Sequence, residues 1–153
     1  MRGMLYPAFM DIRTALITGA SSGIGAALAE ALAANGVTLH LSGRDAARLE
    51  AVAETCRKRG AVANSAVLDV RDADAMAAWI RASGQLDLVV ANAGISGRSR
   101  DGGPENADLT RAIFDINLNG VLNTVLPALD VMAGQTAGAT TWPLVRIEVL
   151  GPV

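Results

Sequence analysis

The sequence predicts an α/β fold built on a doubly wound parallel sheet, and three observations carry that prediction. Short apolar runs of strand length alternate with segments of helical period along most of the chain. A glycine-rich turn, Gly19 to Gly25, joins the first such run to the first helix. The run Leu86–Ala91 is almost wholly apolar, as a strand covered on both faces must be. Strands separated by helices pair in parallel through right-handed crossovers.

The first strand reads as Thr14–Thr18, and its helix carries Ile24, Leu28, Ala31 and Leu32 as an apolar face up to Asn35-Gly36. Val37–Ser42 is the second strand. Asp45 has the residue type and place of an N-cap for a helix whose Leu49, Val52, Ala53 and Cys56 share one side. Arg57, Lys58 and Arg59 suit the negative end of that helix dipole, and Gly60 stops it. Ser65–Leu68 is the third strand. Asp72 caps a helix with Met76, Trp79 and Ile80 inward and Gly84 at its end. After the fourth strand, Leu86–Ala91, comes a polar loop, Gly97–Asn106, and then a long helix, Asp108–Met132. Beyond Gly134 the composition turns to Gly, Ala and Thr. The run Leu144–Leu150 alternates strictly, with Arg146 and Glu148 on one face, and reads as a half-exposed edge strand.

Composition excludes several classes of function. The formal net charge of −2 leaves no basic surplus for nucleic acid or an anionic membrane surface. No uninterrupted apolar run reaches membrane-spanning length, and the first 11 residues lack the apolar core of a secretory signal. A single cysteine, Cys56, forbids an internal disulfide and suits a reducing compartment, so a cytoplasmic location is expected. No His, Cys and carboxylate cluster has metal-ligand spacing, so no metal site is expected. His40 in mid-strand and Cys56 on a core face read as packing residues, as do Met76 and Met132. Arg98, Arg100 and Asp101 read as solvated loop charges.

The chemistry lies in the turn Thr18-Gly19-Ala20-Ser21-Ser22-Gly23-Ile24-Gly25. Glycines let the backbone turn tightly and approach a ligand, and the helix start offers free N–H groups and positive dipole to a pyrophosphate. In register with it stand Asp69-Val70 after the third strand, Asn92-Ala93-Gly94 after the fourth, and Asn117 within the long helix.

Together these motifs resemble the short-chain dehydrogenase/reductase family of the classical type, over about Ile12 to Met132. The resemblance implies a Rossmann-like fold, truncated here after about the fourth or fifth strand. It divides the chain into an N-terminal extension (1–11), an incomplete dinucleotide-binding domain (12–133) and an atypical tail (134–153). It implies that Gly19, Ser21, Ser22, Gly23, Ile24 and Gly25 cradle the pyrophosphate and ribose. Asp69 would accept from the adenine amino group and Val70 would pack on the ring. Asn92, Ala93 and Gly94 would line the nicotinamide side, and Asn117 would be the helix Asn that holds a water in a proton relay.

Cofactor choice is read at the end of the second strand. An acid there accepts hydrogen bonds from a free 2′-hydroxyl. This chain has Gly43 at that place and Arg44 next to it, and a guanidinium suits a 2′-phosphate. NADP(H) is therefore expected over NAD(H).

Members of the family complete their chemistry with a Ser and with a Tyr and Lys four apart on a helix. None of the three can be placed: the only Tyr is Tyr6, the only Lys is Lys58, and no Ser follows Ser99. The expected function is the cofactor half of an alcohol/carbonyl oxidoreductase, inactive alone. The alternative is a nucleotide-binding or regulatory module that pairs with itself or with a full-length relative through Asp108–Met132. Two accounts of the tail stay open: out-of-frame sequence, favoured by the composition break after Gly134, and a natural short form. The substrate is not legible.

Overall fold

A computed structural model describes residues 12–96, 106–135 and 147–149. The elements follow in the order β1 (Thr14–Thr18), α1 (Gly23–Leu32), β2 (Thr38–Gly43), α2 (Ala46–Lys58), β3 (Val62–Val67), α3 (Ala73–Ala82), β4 (Leu88–Ala91), α4 (Ala107–Phe114), a π-helical turn (Asp115–Asn119), α5 (Gly120–Gln135) and β5 (Ile147–Val149). The strands form one sheet in the order β3-β2-β1-β4-β5, and every pair is parallel. The chain winds outward from β1 through β2 to β3, then returns past β1 to β4. That reversal opens a crevice at the carboxyl ends of β1 and β4.

Alternation along the central strands builds two cores. Ala15, Ile17, Leu39, Leu41, Leu88 and Val90 pack on the α1–α2 side with Leu49, Val52, Ala53 and Cys56. Leu16 and Val89 point the other way, to Met76, Ile80, Ile116, Ala128 and Met132. Each fully buried Leu or Ile contributes about 1.5–3 kcal/mol. Asp45 and Asp72 cap as expected, accepting from the N–H groups of Arg48 and Ala75 at 3.0 Å each.

The differences from the sequence reading have physical causes. β3 begins at Val62, not Ser65: all six of its residues pair with β2, so the neighbouring strand ordered a segment whose Ala, Asn and Ser composition carries no strand signal. β2 runs one residue later than expected, Thr38–Gly43. Leu86 lies outside β4 because the Gln135 side chain takes its N–H and C=O, at 2.8 and 3.0 Å. The inner face of α1 is Gly25 and Ala29, with Leu28 and Leu32 partly buried, while Ile24 is 41 % exposed at the cleft and Ala31 faces solvent.

The long helix is three pieces. The Gly120 N–H bonds the Asp115 carbonyl five residues back, which widens the turn around Asn117, and Pro127 sits buried inside α5. The run Ala107–Gln135, 29 residues, is long and apolar enough to cross a membrane by length and composition alone, which the sequence reading did not expect. Its inner face covers the sheet: Ile116, Gly120, Thr124, Ala128 and Met132 are buried. Of the expected strand Leu144–Leu150 the described residues are Ile147–Val149, which form β5 and pair parallel with β4 at Val89↔Ile147 to Ala91↔Val149. The N-terminal extension, the charges Arg98, Arg100 and Asp101, and most of the tail lie outside the described residues.

Candidate functional site

At the crossover of the sheet lies a cleft of about 430 Å³. It is walled by the β1–α1 turn, the end of β2 with the start of α2, the residues after β3, and the residues after β4. Of the sequence-derived site residues, Gly19, Ser21, Ser22, Gly23, Ile24, Arg44, Asp69, Val70, Asn92, Ala93 and Gly94 all line it. Gly25 and Asn117 are not among its lining residues.

The turn needs its glycines for two different reasons. Gly19 (φ +67°) and Gly23 (φ +57°) occupy the left-handed region. A Cβ on Gly19 would also lie 2.8 Å from the Ala93 Cα, whereas one on Gly23 would meet nothing within 4 Å and would project into open space. Gly25 has ordinary backbone angles, and its need is contact: a Cβ there would run into the Gly19 carbonyl oxygen and lie 2.5 Å from the Asn92 amide nitrogen. The cradle is thus open on its ligand side and closed behind, which fits an extended phosphate group.

Asn92 is a staple between β1 and β4. Its side-chain NH₂ donates to the carbonyls of Thr18 (3.1 Å) and Gly19 (3.3 Å). The Thr18 hydroxyl accepts from the N–H groups of Asn92 and Ala93, at 3.1 and 3.2 Å. Thr18 is 1 % exposed. The sequence marks it as the first residue of the turn but gives it no role of its own, because the two N–H groups that it serves lie 74 and 75 residues further on.

Asp69 is gripped by Arg71. The Arg71 guanidinium donates from Nε to both carboxylate oxygens (3.0 and 3.1 Å) and from one terminal nitrogen at 2.6 Å, and the Arg71 N–H adds a bond of 3.0 Å. These bonds first, then the positive charges of Arg71 and Arg44, hold the Asp69 carboxyl down to about 2, so it is an ionised acceptor at any working pH. Sequence reasoning passed over Arg71, although Asp-x-Arg spacing is a readable sign of a local fork. Val70 is braced from α5: the Asn123 amide donates to its carbonyl at 2.9 Å, and Gly120 makes room for its side chain, since a Cβ on Gly120 would lie 2.6 Å from the Val70 Cγ2.

Three guanidiniums gather at this end. Arg71 is taken by Asp69, and Arg48 by Asp45 at 2.7 Å, whose carboxyl the Arg48 N–H and side chain hold below its usual range. Arg44 lines the cleft, is exposed, and makes no hydrogen bond or ion pair among the described residues.

Asn117 sits in the middle of the π-helical turn. Its amide oxygen accepts from the Ile95 N–H at 2.9 Å and its NH₂ donates to the Ile95 carbonyl at 2.8 Å. In this structure the side chain therefore fastens the helix to the loop after β4. His40 is half-buried, and burial lowers its pKa, so it is neutral at pH 7; burial raises that of the Cys56 thiol, which is inert. Among the described residues no cluster of His, Cys, Asp and Glu could hold a metal ion.

A parallel sheet wound outward from a central crossover, with a glycine cradle at that point, defines a Rossmann-like domain. The chain belongs to the short chain dehydrogenase family, whose model matches residues 13–140. An oxidoreductase of Myxococcus xanthus is 40 % identical over 138 residues, which cover 84 % of this chain and 52 % of that protein. The alcohol dehydrogenase of Thermococcus sibiricus, solved with 5-hydroxy-NADP, superposes with a TM-score of 0.71 at 31 % identity and covers 86 % of this chain and 62 % of its own. A short chain dehydrogenase of Mycobacterium paratuberculosis, solved with NAD, has the same TM-score at 28 % identity, covering 82 % and 52 %. The chain thus spans about half the length of the relatives it matches.

Proposed function

We propose that this chain binds NADP(H) in the cleft and forms the cofactor half of an alcohol/carbonyl oxidoreductase site. The observation that carries the reading is Arg44, an unpaired guanidinium among the described residues, standing beside a glycine where an acid would select a free 2′-hydroxyl. When bound, the nicotinamide supplies a hydride. The residues of this chain hold and orient it. Gly19, Ser21, Ser22, Gly23 and Ile24 enclose the phosphates, with Gly25 behind them. Asp69 accepts from the adenine amino group and Val70 supports the ring. Asn92, Ala93 and Gly94 border the nicotinamide, and Asn117 fastens Ile95 next to them while holding the relay water that the family resemblance implies. The same reading places the protein in the cytoplasm, in keeping with its one free, buried thiol.

Titration with both cofactors tests the assignment. Arg44→Ala is expected to weaken NADPH by about 1–3 kcal/mol and to leave NADH nearly unchanged. Equal weakening of both would return Arg44 to the solvated charges.

A second reading, a module that acts by pairing with another chain, is favoured by one surface. Phe114, Leu118, Leu122, Leu126 and Leu129 are 38–60 % exposed and follow one another along α4, the π-turn and α5. A stripe of this kind is covered in a stable protein. Light scattering on the purified chain is expected to show a dimer or larger species, which Leu118→Asp with Leu122→Asp converts to monomer. A concentration-independent monomer in the parent protein would contradict association.

A further inference from the structure

β3 ends the sheet on one side, and among the described residues no strand pairs beyond it. The N–H groups of Val62 and Leu68 donate inward, to the Val37 and Gly43 carbonyls along β2, at 2.9 and 3.1 Å. Successive residues of a strand turn opposite ways, so the N–H and C=O groups of Ala63, Ser65 and Val67 point to the free side. Such a row is a template for another strand.

The strand itself offers little protection. It reads Val-Ala-Asn-Ser-Ala-Val, with no charge and no proline, and its register with β2 is unbroken by a bulge. Val62 and Val67 are each 58 % exposed. An extended, uncharged segment without proline is the kind that pairs edge to edge.

Protection comes from α2. The Arg57 side chain donates from Nε (3.0 Å) and from one terminal nitrogen (2.8 Å) to a single acceptor, the Ala63 carbonyl. Its other terminal nitrogen is held by Glu50 at 2.6 Å and by Glu54 at 3.4 Å. Glu50 also accepts from the Ser65 hydroxyl at 2.6 Å. A guanidinium so placed occupies an acceptor that a further strand needs and sets a charge where that strand would lie. None of these residues lines the cleft.

We propose that Arg57 guards this edge, and that the strand it excludes is β3 of a second copy. Two identical edges meet antiparallel about a two-fold axis. An axis through Ser65 sets Ser65 opposite Ser65 and Ala63 opposite Val67, all residues whose backbone groups face outward. The Ala63 carbonyl is then the acceptor for the Val67 N–H of the other copy, and Arg57 holds that acceptor in both.

Cross-linking on the 153-residue chain tests this. Ser65→Cys places a thiol at the centre of the pair, and a short bifunctional thiol reagent records the pairing. The native thiol, Cys56, is 0 % exposed, so its labelling reports unfolding. In this background Arg57→Ala is expected to raise the yield of dimer linked at position 65 by about tenfold, more so at higher protein concentration. Lys58→Ala removes the same charge one residue on and is expected to change the yield by less than about twofold. Equal yields with and without Arg57 overturn the proposal, and so does an equal rise with Lys58→Ala.

Val67→Pro removes the outward N–H that the Ala63 carbonyl would receive and spares the ladder to β2. Beside Arg57→Ala it is expected to return the yield to that of the Ser65→Cys background; a yield that stays high places the contact elsewhere and overturns the proposal. If Cys56 labels in the Arg57→Ala protein, Glu50→Gln with Glu54→Gln carries the test. That pair keeps the guanidinium but releases it, and is expected to raise the yield by about threefold. No rise there overturns the guard.

Discussion

Supplied with NADPH and a broad panel of ketones and aldehydes, the purified 153-residue protein is expected to show no measurable carbonyl reduction. Reduction needs a proton at the carbonyl oxygen as the hydride arrives, and a positioned side-chain acid is typically worth about 10²–10⁴-fold. Among the described residues, those that could serve are misplaced. The only Lys, Lys58, is the last residue of α2. That helix starts at the cleft with Asp45 and runs 13 residues away from it, or about 20 Å at the rise of an α-helix. No Tyr occurs among the described residues, because Tyr6 precedes them. Asp69 and Asp45 are held as carboxylates by their arginines and give no proton near pH 7. The Ser that the family resemblance assigns to the substrate oxygen cannot be placed either, since no Ser follows Ser99, so the loss compounds. Sustained turnover on any substrate of the panel would refute this.

Gly25→Ala is expected to destabilise the fold by about 2–3 kcal/mol, as overpacking of a tight contact does, and to abolish detectable NADPH binding. Helix propensity predicts the opposite sign, since Ala inside a helix is better than Gly by about 1 kcal/mol. Contact decides, because the new methyl would meet the Gly19 carbonyl oxygen and the Asn92 amide that staples β1 to β4. Something must shift, and each of those groups shapes the cradle. For a domain of this size the loss corresponds to a Tm lower by roughly 4–12 °C. Gly84→Ala is the control: its φ of +72° is strained for Ala, but no atom lies within 4 Å of the new Cβ, so it should cost about 1 kcal/mol and spare the cleft. A Gly25→Ala protein that unfolds at the parent's temperature and keeps its affinity would refute the contact.

Much of this molecule is legible locally. The caps Asp45 and Asp72, the core face Leu49, Val52, Ala53 and Cys56, and the glycine turn each declare themselves within a window of about ten residues. The functional positions other than Asn117 were legible for the same reason: they lie in the segments that follow strand ends, and in a doubly wound sheet the strand ends converge. That geometry brought eleven of the thirteen named site residues to one cleft wall.

What tertiary structure alone decided is every feature that depends on a partner distant in the chain. β3 began at Val62 because β2 offered it a ladder, and Leu86 stayed out of β4 because Gln135, 49 residues on, claimed its backbone. Asn117 turned to Ile95, Thr18 became the acceptor for two N–H groups after β4, and Gly120 proved to be the seat of Val70. Arg44 stayed unpaired among the described residues while Arg48 and Arg71 found carboxylates, although all three carry the same charge. Periodicity and turn chemistry follow from backbone geometry over a few residues, so a single chain segment encodes them. Which of several chemically equal side chains is spent on a neighbour and which faces a ligand depends on ångström-scale packing between segments, and no local pattern carries that information.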